Sequence, residues 1–278
     1  MFKILRFDQY EVVPWKNGGG TTRPILLVPP ASPFDYILRL SLADVENSGP
    51  FSKFEGMDRV IIQLNGDPMT LLHYDPPQNH KLERLKPYFF SGDWETSGNV
   101  VTASQDFNII WRRDILTVSV ERYDLQAYQQ QSCPLTGDYR FVFSAGPGVD
   151  FSLNDLPVQR LGPFDTAIIT ESSSLTQQAT FKAGASAASF FVITAKFKDA
   201  GKRRGYFPHP EDFKPGPKKQ SSFLMRIPEF SYALPAMILG MVMLLISVSV
   251  WQSGSAQSWS VSGQNVFSDK QYWRLFTA

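Results

Sequence analysis

The chain is poor in the residues that most chemistry at protein sites depends on. It has one cysteine, Cys133, and three histidines, His73, His80 and His209, among 278 residues. A single thiol excludes an internal disulfide framework and fits a reducing compartment. No histidine lies near Cys133 in sequence, which argues against a nucleophilic role. No His-x-His pair exists, so a metal site would have to come from His73, His80 and Glu83. The spacing of those three, across a Pro-Pro turn, does not suit one metal ion. We therefore expect no metal, no cofactor, and histidines at the surface. Charge of one sign is scarce too: the net charge is +1, which gives no global field for nucleic acid. Met1 to Asp8 carries charges where a signal peptide needs an apolar run, so no export signal is expected. A Gly-x-Ser-x-Gly elbow, a Walker loop and a strand-linked Gly-x-Gly-x-x-Gly are all lacking. These gaps favour binding over catalysis.

What the chain does have is recurrent strand pattern. Its length is ample for one large β domain or two small ones. Apolar or alternating runs appear at 25–28, 36–42, 60–64, 69–74, 107–111, 115–120, 139–143, 166–170 and 188–195. Gly, Pro, Asn or Asp clusters separate most of them, and no helical apolar stripe intervenes. Regular short strands with turn signals predict an all-β sandwich or barrel, with strands enough for two stacked halves. A seam between halves is expected near Ser132–Asp138.

The most specific feature is Trp15-Lys16-Asn17-Gly18-Gly19-Gly20-Thr21-Thr22-Arg23. Three glycines allow a turn that aims several N–H groups at one point. Two cations, two hydroxyls, an amide and an indole surround them, an inventory suited to a small polar or anionic ligand. A second stretch runs Gly49-Pro50-Phe51-Ser52-Lys53-Phe54-Glu55-Gly56-Met57-Asp58-Arg59, after a strand containing Arg39-Leu40-Ser41. A third is Asp106-Phe107-Asn108. In order and separation these segments resemble the HutD/Ves family over residues 1–197. The resemblance implies a cupin-type double-stranded β-helix, with two barrel halves forming a bicupin. Two departures bear on the ligand: Pro24 stands where the family often has Glu, and Ile37-Leu38 where it often has an aromatic.

The candidate ligand-binding residues are Trp15, Lys16, Asn17, Gly18, Gly19, Gly20, Thr21, Thr22, Arg23, Arg39, Ser52, Asp58, Arg59 and Asn108; no catalytic set is assigned. By strand alternation Arg39 and Ser41 face away from Leu38, Leu40 and Leu42. Two outcomes stay open: a solvated outer charge, or a charge inside a polar lumen. Asp58-Arg59 and Asp106-Asn108 could instead pair ions and cap turns at a barrel rim. Two function classes follow. One is non-catalytic binding of a small anionic metabolite, for which the resemblance implies a link to histidine utilisation or stress response. The other is a metal-independent cupin-type isomerase or hydrolase, with Asp58 or Asp106 as acid or base.

The C-terminal third reads differently. Residues 198–229 form a basic Pro/Gly-rich linker. Within 230–252, Tyr232 to Trp251 carries no charged side chain. At about 1.5 Å per residue it spans roughly 30 Å, so a transmembrane helix is predicted. Basic residues concentrate before this segment, which places the β domain in the cytoplasm of a single-pass inner-membrane protein. Residues 253–278 end in Trp273-Arg274-Leu275-Phe276-Thr277, which resembles the first loop of rhomboid proteases. The partners expected are thus a small molecule, a membrane through 230–252, and a second copy in a homodimer, with no nucleic acid.

Overall fold

The computed structural model describes residues 2–29, 36–154, 156–169 and 177–199. The transmembrane helix expected at 230–252, the rhomboid-like ending expected at 253–278, and the expected linker beyond Asp199 lie outside the described residues. Among the described residues there are nineteen strands and one 3-10 turn, Phe7–Gln9; no helix there is long and apolar enough to cross a membrane.

The first strand, β1 (Phe2–Leu5), precedes a sandwich built from ten others. These are β2 (Val13–Pro14), β3 (Gly20–Val28), β4 (Leu38–Val45), β5 (Gly49–Pro50), β6 (Met57–Gly66), β7 (Thr70–Tyr74), β8 (Pro77–Lys81), β9 (Tyr88–Ser91), β10 (Thr96–Asn99) and β11 (Ser104–Arg112). They form a large sheet ordered β2-β3-β4-β11-β6-β9 and a small one ordered β5-β10-β7-β8. The second sandwich uses β12 (Leu116–Leu125), β13 (Gln130–Leu135), β14 (Tyr139–Ser144), β15 (Val149–Leu153), β16 (Gln159–Leu161), β17 (Thr166–Ile169), β18 (Gln177–Ala183) and β19 (Ala188–Phe197). Its large sheet is β1-β17-β14-β19-β12 and its small one β13-β18-β15-β16.

Three apolar cores hold this arrangement. Ala43, Val45, Ile61, Met69, Leu71 and Phe90 fill the first sandwich. Val142, Phe151, Ile169, Phe181, Phe190 and Val192 fill the second. The largest core lies between the two large sheets, where Leu38, Leu40, Leu42, Phe107 and Ile109 meet Tyr139, Phe141, Phe143 and Ile193. Phe107 stacks on Phe143 with centroids 4.0 Å apart. Both faces of each large sheet are therefore covered, and period-two alternation sorts residues between two interiors rather than between core and water.

That resolves the open orientation of Arg39. The leucines face the core between sandwiches, and Arg39 faces the interior of the first sandwich. A bulge keeps this phase: β3 shifts register against β4 between Pro24 and Leu26. A proline cannot donate to the ladder and is tolerated at such an irregularity. The extra residue lets Ile25, Leu26 and Val28 all join the core between sandwiches.

The seam falls between β11 and β12, not near Ser132–Asp138. β12 already belongs to the second sandwich through its pairing with β19, and β13 lies within that sandwich's small sheet. The N-terminus crosses the seam: β1 pairs with β17, Phe2 opposite Ile169. The first sandwich is thus held to the second at both of its chain ends.

Candidate functional site

A cavity of about 830 Å³ opens into the first sandwich, and its floor is the inner face of the large sheet. Cross-strand register builds that floor row by row. Thr22, Ala43 and Asp106 stand in one row; Pro24, Ser41 and Asn108 in the next; Arg39, Ile110 and Arg59 in a third. Because β11 alternates, Asp106 and Asn108 point into the cavity while Phe107 between them points to the core between sandwiches. Phe51 and Phe54 contribute walls, and Trp15, Lys16, Asn17 and Ser52 stand toward the mouth.

Arg59 is 6% exposed and is held from several sides. Its guanidinium donates to Asn108 Oδ1 at 3.0 Å. The guanidinium carbon lies 4.9 Å from the Phe90 ring centroid, 5.2 Å from Phe54 and 5.3 Å from Phe51. Such a cation–π cage replaces some of the hydration lost on burial. Burial nevertheless lowers the Arg59 pKa to about 10; Asp106 opposes that shift and nearby Arg39 adds to it. Asn108 in turn donates to Asp106 Oδ1, so Arg59, Asn108 and Asp106 form one hydrogen-bonded chain along the floor. Burial raises the Asp106 pKa to about 7, against the pull of Arg59 and Asn108. Asp106 Oδ2 and Arg59 Nε are buried without a hydrogen-bond partner. Buried polar atoms normally find partners, and both residues line the cavity.

Of the fourteen residues expected at the site, Trp15, Lys16, Asn17, Thr22, Arg39, Ser52, Arg59 and Asn108 line the cavity. The other six do not. Thr21 and Arg23 project from the opposite face of β3 to Thr22; both reach Asp44, Thr21 at 3.2 Å and Arg23 in an ion pair. Asp58 pairs with Arg113 at 3.0 Å. Gly18, Gly19 and Gly20 form the hairpin turn leading into β3. The Gly18 N–H donates to Trp15 O at 3.1 Å, and the Gly19 N–H to Asn17 Oδ1 at 3.0 Å. Those amides are spent within the turn, so the triplet does not aim a set of N–H groups at a guest.

The glycines answer backbone needs instead. Gly18 has φ +68, and a Cβ on Gly20 would sit 2.1 Å from Asp44 O. The turn thereby seats Trp15, whose Nε1 donates to Thr22 Oγ1 at 2.7 Å. Sequence reasoning offered Asp106 as a rim-capping residue or an alternative acid or base, outside the candidate ligand-binding set, and gave Ser41, Phe51 and Phe54 no site role. The signals were present: Ser41 shares a face with Arg39, and two aromatics flank Ser52.

The expectation of surface histidines is corrected for His73, which is 3% exposed. Its ring nitrogens meet Thr96 Oγ1 at 2.8 Å and Tyr88 OH at 3.1 Å. Burial, then His80 and Arg59, lower its pKa. His80 stacks on Tyr88 with centroids 3.7 Å apart. Among the described residues no group of three or more His, Cys, Asp and Glu is placed to hold a metal ion. Cys133 is buried in the second sandwich, and burial raises its thiol pKa.

Residues 8–188, well over half of the chain, match the HutD family. The chain belongs to the HutD family. A relative described as an uncharacterized 21.2 kDa protein in the hutC 3′ region of Pseudomonas putida is 34% identical over 166 residues. That match covers 59% of this chain and 84% of the relative. A conserved protein of unknown function from Pseudomonas aeruginosa PAO1 has a structure similar at TM-score 0.65 and 28% identity, over 70% of this chain and 99% of that one. HutD from Pseudomonas fluorescens SBW25 (formate condition) is similar at TM-score 0.60 and 26% identity, over 72% of this chain and 100% of that one. Among the described residues the scaffold is all-β, and it shares the fold of those two structures over nearly their whole length. The family match ends at residue 188 and does not reach the expected rhomboid-like ending.

Proposed function

We propose that this HutD-family protein binds a small anionic metabolite, without turning it over, in the cavity of its first sandwich. The observation that carries this reading is a floor with two arginines beneath apolar walls. Arg39 and Arg59 are close enough for one to depress the other's pKa. An anion between them would relieve that repulsion and gain charge-assisted hydrogen bonds in a partly buried setting. Phe51, Phe54 and Ile110 would cover an apolar or planar body. Carboxylated intermediates of histidine breakdown fit this chemistry, and the family name supports a regulatory link to histidine utilisation. A role in stress response is the other setting that the resemblance implies.

The paired sandwiches support a bicupin description, with the ligand in the first half. We further propose that 230–252 tethers the β domain to the inner membrane from the cytoplasmic side, and that 253–278 is a rhomboid-like segment. Uncharged length and the basic residues before the segment support the tether. Recovery of the full-length chain in the soluble fraction after lysis would overturn it. A homodimer is the oligomeric state proposed.

One observation favours a second reading. Asp106, with its pKa raised to about 7, is poised for proton transfer in a metal-independent isomerase or hydrolase. A thermal-shift screen of the full-length chain against histidine-pathway acids and simple carboxylates separates the two. Stabilisation with the acid recovered unchanged supports binding. Product formation that Asp106→Ala abolishes supports the enzyme.

A further inference from the structure

Among the described residues, the cavity lining holds a single acid among its cations. Asp106 is 1% exposed; its Oδ1 accepts from Asn108 and its Oδ2 has no hydrogen-bond partner. The groups facing it can be named strand by strand. β3 presents Thr22, β4 presents Ala43 and Ser41, and β6 presents Gln63 and Arg59. Asp44 of β4 acts on Asp106 through space, and Lys16 and Arg39 are the other charges lining the cavity. Gln63 cannot donate to Oδ2, because both of its amide hydrogens are used. Nε2 donates to Gly66 O at 3.2 Å and Asp67 O at 2.6 Å, and Oε1 accepts from Met69 N at 3.0 Å.

A carboxylate oxygen left bare in such a place is costly. An incoming anion raises that cost, since it brings a second negative charge against Asp106. Asn108 already donates to Oδ1 and Arg59 acts on the group through its charge, so relief has to come at Oδ2. We propose that Asp106 is a specificity-determining residue of this cavity, entering the complex as a neutral carboxylic acid whose Oδ2–H donates to the bound anion. One proton moves from solvent onto Oδ2 as the anion binds and returns to solvent on release. This rests on the anion-binding reading of the same cavity, and it adds a selection rule. Ligands must offer a hydrogen-bond acceptor to Asp106, and an ammonium group at that point is disfavoured.

The test is calorimetry of the full-length chain with benzoate and with formate, at pH 6 and pH 8. Each titration is run in two buffers of different ionisation enthalpy. With Asp106 titrating at about 7, only its protonated fraction is competent. The apparent Kd should then be about tenfold weaker at pH 8 than at pH 6. Proton uptake should approach one per anion at pH 8. In Asp106→Asn, binding should persist with neither pH dependence nor uptake. The wild-type buffer comparison stands alone if that variant fails to fold. Binding without proton uptake, affinity that strengthens with pH, or uptake that survives in Asp106→Asn overturns the role of Asp106 and leaves the anion site intact. Failure of both anions to bind at either pH overturns the anion-binding reading together with it.

Discussion

Asp106→Asn should flatten the pH dependence of folding stability, even with no ligand present. In the folded protein burial raises the Asp106 pKa from an ordinary 3.8 to about 7. Between those values the folded state keeps a proton that the unfolded chain has lost. Stability therefore falls as pH rises through that window and levels off above it. Each pH unit is worth about 1.4 kcal/mol, so from pH 5 to pH 7 the wild type should lose on the order of 2–3 kcal/mol through this group. Asparagine keeps the shape and the contact with Asn108 but cannot titrate. Any cost of its buried amide is common to all pH values and cancels in the difference between pH values. Other groups cancel as well, including His73, whose lowered pKa pushes stability the opposite way with pH. The assay is urea unfolding of both full-length proteins at half-unit steps from pH 5 to pH 8. Wild-type stability minus variant stability should decline along that range. A difference that stays constant to within about 0.5 kcal/mol would refute the burial of an unrelieved carboxyl at this point.

Two other substitutions probe the frame around the cavity. Phe107→Ala empties a fully buried site stacked on Phe143 and should cost about 3–5 kcal/mol in urea unfolding. Gly20→Ala would put a Cβ 2.1 Å from Asp44 O, forcing β3 away from β4; a loss of about 1–3 kcal/mol is expected. Gly19→Ala, where the nearest atom would be Asn17 Oδ1 at 3.3 Å, should cost under about 1 kcal/mol by the same measurement.

Legibility in the sequence tracked how local the cause was. The Arg39–Ser41 and Asp106–Asn108 pairs announce one strand face each, and that face proved to be the cavity floor. Which interior each face meets was not legible, because it depends on a second large sheet contributed by β1 and by residues after Arg112. The same distance hid β1, four residues whose partner strand begins at Thr166. It also misplaced the seam, since nothing local marks β12 as already paired with β19. The glycine triplet signalled backbone freedom, but freedom does not say where amides point; here Asn17 and Trp15 absorb two of them. Arg23 was a different case. Alternation within Thr21-Thr22-Arg23-Pro24 already separates Arg23 from Thr22, and Asp44 waits on its side of the sheet.

Isothermal titration of benzoate into wild-type and Arg39→Ala full-length protein at pH 6 bears most directly on the anion site. Arg39 lines the cavity and is only partly buried, so its truncation should leave the melting temperature nearly unchanged. Losing one charge-assisted contact of about 1.5–3 kcal/mol should weaken binding by roughly tenfold or more. Equal affinity in the two proteins would contradict an arginine-floored site for a small anion.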